Sequence, residues 1–157
     1  MDADKLARCP ECGATWSDGA ACQDHFHQML FWENEYPDQT LMVHHLLVLS
    51  YHLQHTSLYS PEGLRQAMTL LVEFAERGVS PAEMRRRQRD TVDSGKRGWR
   101  VTARPDAHGA YTHSPAWTMV ARDVVAGGVD QYEDNVRAWA RSILDALKAS
   151  GNLPATD

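Results

Sequence analysis

The sequence predicts a mainly α fold: a compact helical bundle of about five to six helices with one long irregular loop. Apolar residues recur at helical spacing through most of the chain, and Ser60-Pro61 and Ser80-Pro81 are typical helix starts. No segment alternates polar and apolar residues for long enough to demand a sheet. The length of 157 residues fits one domain. We expect it to span residues 1–149, with a frayed tail at 150–157.

The first two helices are predicted on either side of a proline. Apolar residues at mostly helical spacing predict helix one over residues 20–36, which Pro37 ends. Residues 40–56 are apolar almost all round, which predicts a central helix buried on most sides. The short connection makes the two helices an antiparallel hairpin.

Serine-proline pairs start the next helices. A third helix opens at Ser60-Pro61 and runs to a stop at Gly78, and a fourth opens at Ser80-Pro81. Residues 93–113 have no period and form the predicted loop, in which residues 99–103 and 110–112 can pair weakly as strands.

The C-terminal third is predicted to hold two more helices. Ser114-Pro115 predicts a short helix that ends at Gly127-Gly128, and Asp130 predicts the start of a final helix. One face of that final helix carries an apolar stripe: Tyr132, Val136, Trp139, Ile143 and Leu147.

All three cysteines lie within the first 22 residues. Cys9-Pro10-Glu11-Cys12-Gly13 has the spacing of a zinc knuckle, in which a tight turn brings two thiolates onto one cation. Residues 1–21 contain no apolar stretch typical of a secretion signal, so we expect a cytoplasmic protein with reduced thiols. We therefore predict a knuckle over residues 1–22, with Cys9, Cys12 and Cys22 as ligands of zinc.

The fourth ligand is predicted across the hairpin. An antiparallel arrangement about Pro37 places Cys22 near the level of His52, one helical turn from His55. His55 then completes a three-cysteine, one-histidine site, although His25 and water remain alternatives. His44 lies about 16 Å further along the axis and belongs to a different pocket, opposite residues 30–33.

The central helix also carries polar residues that predict a cleft. His44, Tyr51 and His55 project along nearly one line of an ideal helix, and Gln54 is adjacent. A closed four-ligand site would be structural. Three protein ligands and a water would instead make a zinc enzyme performing hydrolysis, isomerisation or another acid–base step. In that alternative His44, Tyr51 and Gln54 are the catalytic candidates. A thiol redox sensor is the third interpretation.

Composition restricts the partners. The net charge of −5 and the isoelectric point near 5.9 argue against a nucleic-acid domain, and no apolar run approaches the length of a membrane span. Residues 85–104 hold a basic cluster, with Trp99 and Tyr111 available for stacking. This cluster is typical of a solvated face, or of a site for a small polar or anionic ligand. The sequence contains no signal that indicates the oligomeric state.

The motif from His44 to His55, H-x-L-x-V-x-x-Y-x-x-Q-H, resembles the central helix of a family of small uncharacterised bacterial proteins, a domain of unknown function. The likeness extends to the C-P-x-C-G knuckle, the later single cysteine and the closing Trp139-Ala140 helix, and so covers most of the chain. It implies that Cys9, Cys12, Cys22, His44, Tyr51, Gln54 and His55 belong to the family's site. The resemblance brings no reaction with it.

Overall fold

The structure is a computed structural model and describes residues 7–16, 21–93, 103 and 107–154. A two-stranded antiparallel hairpin precedes the helices. The helices make up most of the described chain, which confirms the mainly α prediction. Its strands are β1 (Ala7–Arg8) and β2 (Thr15–Trp16). The α-helices are α1 (Cys22–Glu35), α2 (Pro37–Thr40), α3 (His44–Leu53), α4 (Pro61–Leu71), α5 (Pro81–Asp93), α6 (Ala121–Ala126) and α7 (Tyr132–Ala149).

The core forms around α3. This helix packs on α4 and α7, while α1 packs on α6, which in turn contacts α7. The predicted stripe of α7 is confirmed, because all five of its residues are buried. Helix α3 is apolar on most sides, and it can therefore be buried between other helices.

The predicted second helix is broken into several pieces. A 3-10 turn at Leu41–Val43 separates α2 from α3, and α3 ends at Leu53. Pro37 starts α2, as proline favours the first helical position. His55 therefore lies beyond the end of α3, with φ −134° and ψ 66°, and does not continue its helical face.

One predicted helix start is wrong. Residues 114–120 contain no helix, and α6 begins only at Ala121, where the Asp123 carboxylate accepts a hydrogen bond from the Val120 amide. The half-buried side chains of Trp117 and Met119 pack against the core from this irregular segment. Tertiary packing outweighs the local serine-proline signal there. Of the weak strand pair considered above, residues 99–102 lie outside the described residues.

The C-terminal end of α7 is tied down. Asn152 donates to the carbonyl of His113 at 2.6 Å, although it lies in the segment predicted to fray, and Leu153 packs against the core. Within the described residues, no helix is long and apolar enough to cross a membrane.

The predicted start of α4 is confirmed and provides a test of helix capping. Ser60 accepts a hydrogen bond from the Gly63 amide at 2.9 Å, and Ser80 accepts one from the Glu83 amide at 3.1 Å. Ser60 is buried and Ser80 is exposed. We expect Ser60→Ala to lower the free energy of unfolding by about 1–2 kcal/mol, because water cannot replace a buried cap. Ser80→Ala should cost about 0.5 kcal/mol. Urea denaturation of both variants measures the difference, and equal costs would contradict this interpretation.

Candidate metal centre

The hairpin shapes the turn that carries Cys9 and Cys12. The Cys9 amide donates to the Ala14 carbonyl at 2.8 Å, and the Gly13 amide donates to the Cys9 carbonyl at 3.0 Å. Gly13 has φ +79°, a conformation that glycine adopts without steric cost. Both thiols are buried by this turn. The two-residue strands give no sequence signal of their own, so sequence reasoning predicted the knuckle but missed the hairpin.

Cys22 comes from the start of a helix. It is the first residue of α1 and its side chain is buried. The amide groups at a helix N-terminus would stabilise negative charge on this sulfur once a metal ion displaces its proton. Helix α1 thereby supplies the third sulfur of the group, and the knuckle supplies the other two.

His55 contributes a nitrogen whose partner is missing. Its side chain is 5% exposed, and its Nδ1 lies 2.7 Å from the Tyr51 carbonyl, which can only accept. Nδ1 therefore carries the proton of the neutral ring and donates it, which leaves Nε2 as a lone-pair atom. Burial lowers the pKa of His55, but the neighbouring Cys12 thiolate and the Tyr51 carbonyl together outweigh burial and raise it. Nε2 is buried and has no hydrogen-bond partner. An unsatisfied buried acceptor costs free energy, and a metal ion would satisfy it.

The four side chains converge. The ligand atoms of Cys9, Cys12, Cys22 and His55 all lie within 4.8 Å of one another, so they can hold a metal ion. Tetrahedral ligands at about 2.0–2.3 Å from one ion lie roughly 3.3–3.8 Å apart, so only small movements are needed to bind it. Among the residues that the structure describes, this is the group of metal-binding side chains that meets the distance requirement.

Two of the sulfurs share a proton. The Sγ atoms of Cys12 and Cys22 are 3.4 Å apart. Hydrogen bonding from Cys22 lowers the pKa of Cys12 to about 4, although burial opposes the shift. The same hydrogen bond raises the pKa of Cys22. Cys12 is therefore the thiolate of the pair, and Cys22 holds the proton. A metal ion that binds both sulfurs would displace this proton.

Helices α1 and α3 are aligned by matched side-chain contacts. Phe26 stacks on Tyr51 with a centroid distance of 4.3 Å, and Tyr51 stacks on His55 at 4.3 Å. Glu33 contacts His44 at the other end. These contacts pair α1 and α3 antiparallel and bring Cys22 to His55, which lies outside the helix. The predicted register had placed Cys22 level with His52, one turn away.

Further contacts fix the knuckle against the helices. The Ser57 amide donates to Glu11 Oε1 at 2.9 Å, and Arg122 donates to the Thr15 carbonyl at 2.7 Å. Both ends of the hairpin are thus attached to the rest of the fold. His25, the alternative fourth ligand, is half-buried and does not belong to the converging group.

The predicted catalytic residues lie in three different surroundings. Tyr51 lies against His55, as described above. Gln54 is 2% exposed; its amide donates to the Met119 carbonyl at 2.7 Å and accepts from Trp139 Nε1 at 3.3 Å. Its hydrogen-bonding groups therefore join α3 to α7 and to the segment before α6.

His44 belongs to a separate network. Its Nδ1 lies 2.6 Å from Oε1 of the buried Glu33, whose Oε2 accepts from Tyr132 at 3.0 Å. The His44 side chain is 51% exposed. Burial and the Glu33 carboxylate raise the pKa of Tyr132. The sequence predicted that His44 faces residues 30–33, a range that includes Glu33, but it did not predict a hydrogen bond between the two side chains. The signal for that bond is a charge facing a histidine across the hairpin.

The model of a family of unknown function, DUF5946, matches residues 7–148. No curated protein and no solved structure matches the chain.

Proposed function

The chain belongs to DUF5946, a family of unknown function, and we propose that Cys9, Cys12, Cys22 and His55 bind one zinc ion in a closed, structural site. Three sulfurs and one nitrogen form a donor set that favours zinc, and reduced thiols suit a cytoplasmic location. The observation that carries the proposal is the buried His55 Nε2, which has no hydrogen-bond partner and lies beside three buried thiols.

The metal's role follows from what it connects. Two strands of two residues each cannot hold a hairpin in water by themselves. A zinc ion would join this hairpin to the start of α1 and to the end of α3. Its binding free energy would then contribute to folding. We therefore propose a zinc-stabilised helical protein.

Burial favours the structural site over the catalytic one. A catalytic zinc keeps a coordination position for water or substrate. Here four protein ligands would fill a tetrahedral shell, and all four side chains are buried. The placement of Gln54 in the core, with its amide engaged at both ends, also supports a structural role for that residue.

Metal content tests the ligand set. We expect wild-type protein to hold one zinc per chain, and His55→Ala to lose at least tenfold in zinc affinity because one of four ligands is removed. His25→Ala is the matched control and should retain one zinc. Elemental analysis and competition with a chromophoric chelator measure both quantities.

A further variant guards against simple misfolding. His55→Cys restores a fourth soft ligand and should bind zinc again. Full zinc retention by His55→Ala, or its loss from His25→Ala, would contradict the proposed site.

A thiol redox sensor is the second candidate, favoured by the 3.4 Å separation of the Cys12 and Cys22 sulfurs. A peroxide would oxidise these two thiols to a disulfide, would itself be reduced at the O–O bond by the two electrons and two protons released, and the metal would be lost. Peptide mapping of protein isolated without oxidant distinguishes the two. A Cys12–Cys22 disulfide in metal-free protein would favour the sensor.

A further inference from the structure

A groove runs between the metal knuckle and the segment before α6. Two adjoining pockets form it, with volumes of about 530 Å³ and about 330 Å³. They share four wall residues: Pro10, Glu11, Pro115 and Trp117. Both volumes lie in the range of small-molecule sites, which is about 300–1,000 Å³.

Arg8 supplies a cation to the larger pocket. It is exposed, and among the described residues no carboxylate forms an ion pair with it. Its guanidinium lies over Gly13, where an added Cβ would come within 3.4 Å of Nη2. The glycine turn therefore leaves room for a guanidinium that faces the pocket. A guanidinium binds a carboxylate with two parallel hydrogen bonds.

Trp117 supplies a ring where the two pockets meet. It is half-buried, and its ring packs edge-to-face on Tyr111 at a centroid distance of 5.9 Å. The Tyr111 hydroxyl is fixed in turn by a hydrogen bond to the Leu53 carbonyl. A ring held in this way is a platform on which a planar ligand can stack.

Glu11 restricts the charge of a ligand. Its Oε1 accepts from the Ser57 amide, so the carboxylate is held in the wall that both pockets share. A second negative charge at this point would be repelled. The groove therefore suits one negative charge near Arg8 and an uncharged ring over Trp117.

We propose that this groove binds a small aromatic monocarboxylate, with the carboxylate on Arg8 and the ring on Trp117. The inference rests on the proposed function, because the metal-bound turn of residues 9–13 forms one wall. Arg8 has a competing role, which is to offset the net negative charge of a zinc ion bound by three thiolates. The experiment has to separate the two roles.

Titration of zinc-loaded protein with benzoate, followed by amide NMR shifts, tests the groove. We expect saturable shifts around Gly13 and Trp117 with a dissociation constant of order 1 mM. Benzamide lacks the charge and cyclohexanecarboxylate lacks the planar ring, and each should bind at least tenfold more weakly. Zinc content is measured on the same samples, so that loss of the metal and loss of the ligand are distinguished.

Variants assign the two contacts. Arg8→Ala and Trp117→Ala should each weaken benzoate binding at least tenfold while one zinc per chain is retained. Arg8→Lys keeps the charge near the metal and loses the paired hydrogen bonds, so it should retain zinc and still weaken binding several-fold. Arg65→Ala is the control, because Arg65 lines a different pocket of about 350 Å³ beside α4. It should bind benzoate as the wild type does.

Several outcomes would overturn the inference. Zinc-loaded wild type whose Gly13 and Trp117 amides do not shift with benzoate at millimolar concentration would exclude the groove as this site. Benzoate binding that Arg65→Ala abolishes would place the ligand beside α4. Unchanged benzoate affinity in a zinc-loaded Arg8→Ala variant would limit Arg8 to the metal site. Protein that never holds zinc would count against the proposed function instead.

Discussion

Removal of the metal is expected to lower the free energy of unfolding by about 4 kcal/mol. The comparison is between metal-free protein and protein at a free zinc concentration about a thousandfold above the dissociation constant. The reason is that only the folded chain brings the three cysteines and His55 within 4.8 Å of one another. Denaturant unfolding with and without a strong chelator measures the effect. In the chelated protein we also expect the amides of residues 7–16 to exchange faster with solvent.

The matched control for this experiment is Cys22→Ala. Without its third sulfur the site should bind zinc poorly, so the chelator should change the stability of this variant by less than about 0.5 kcal/mol. A wild-type protein that is equally insensitive to the chelator, while free of any other metal, would contradict a structural metal.

Replacement of Trp139 with alanine is expected to cost about 3–5 kcal/mol of stability. Its side chain is fully buried in the face of α7 that packs on α3. Its Nε1 also donates to Gln54 Oε1 at 3.3 Å, so the substitution leaves a cavity and a buried oxygen without this partner. Urea unfolding measures the loss.

Two control variants separate these contributions. Trp139→Phe keeps most of the apolar volume and should cost about 1–2 kcal/mol, mainly through the lost hydrogen bond. Arg141→Ala changes the exposed side of the same helix, where an ion pair with Asp145 at 3.5 Å contributes about 0.5 kcal/mol or less. A cost below about 1 kcal/mol for Trp139→Ala would show that this contact does not hold α7 in place.

The convergence of the three cysteines and His55 could be predicted because each part of the group has a local signal. The C-x-x-C spacing and Gly13 indicate the knuckle, and Pro37 fixes the turn about which Cys22 and His55 face each other. The helical line through His44, Tyr51 and His55 was the weaker argument, since His55 leaves the helix after Gln54. The predicted hairpin register came within one turn, because it placed Cys22 level with His52 and named His55, one turn away, as the ligand.

Other features depend on contacts that no local pattern reveals. Gln54 bonds to Met119 and Trp139, which are 65 and 85 residues away along the chain. Ser114-Pro115 has a helix-start signal that long-range packing of Trp117 overrides. The groove at Trp117 likewise forms only when the knuckle and this segment meet.

The proposed closed site is tested most directly by X-ray absorption at the zinc edge of the purified protein. We expect three sulfur neighbours at about 2.3 Å and one nitrogen at about 2.0–2.1 Å, with the histidine contribution lost in His55→Ala. A wild-type spectrum without the outer-shell scattering of an imidazole ring would contradict the proposed site. Such a spectrum would point to a metal with an open position and to catalysis.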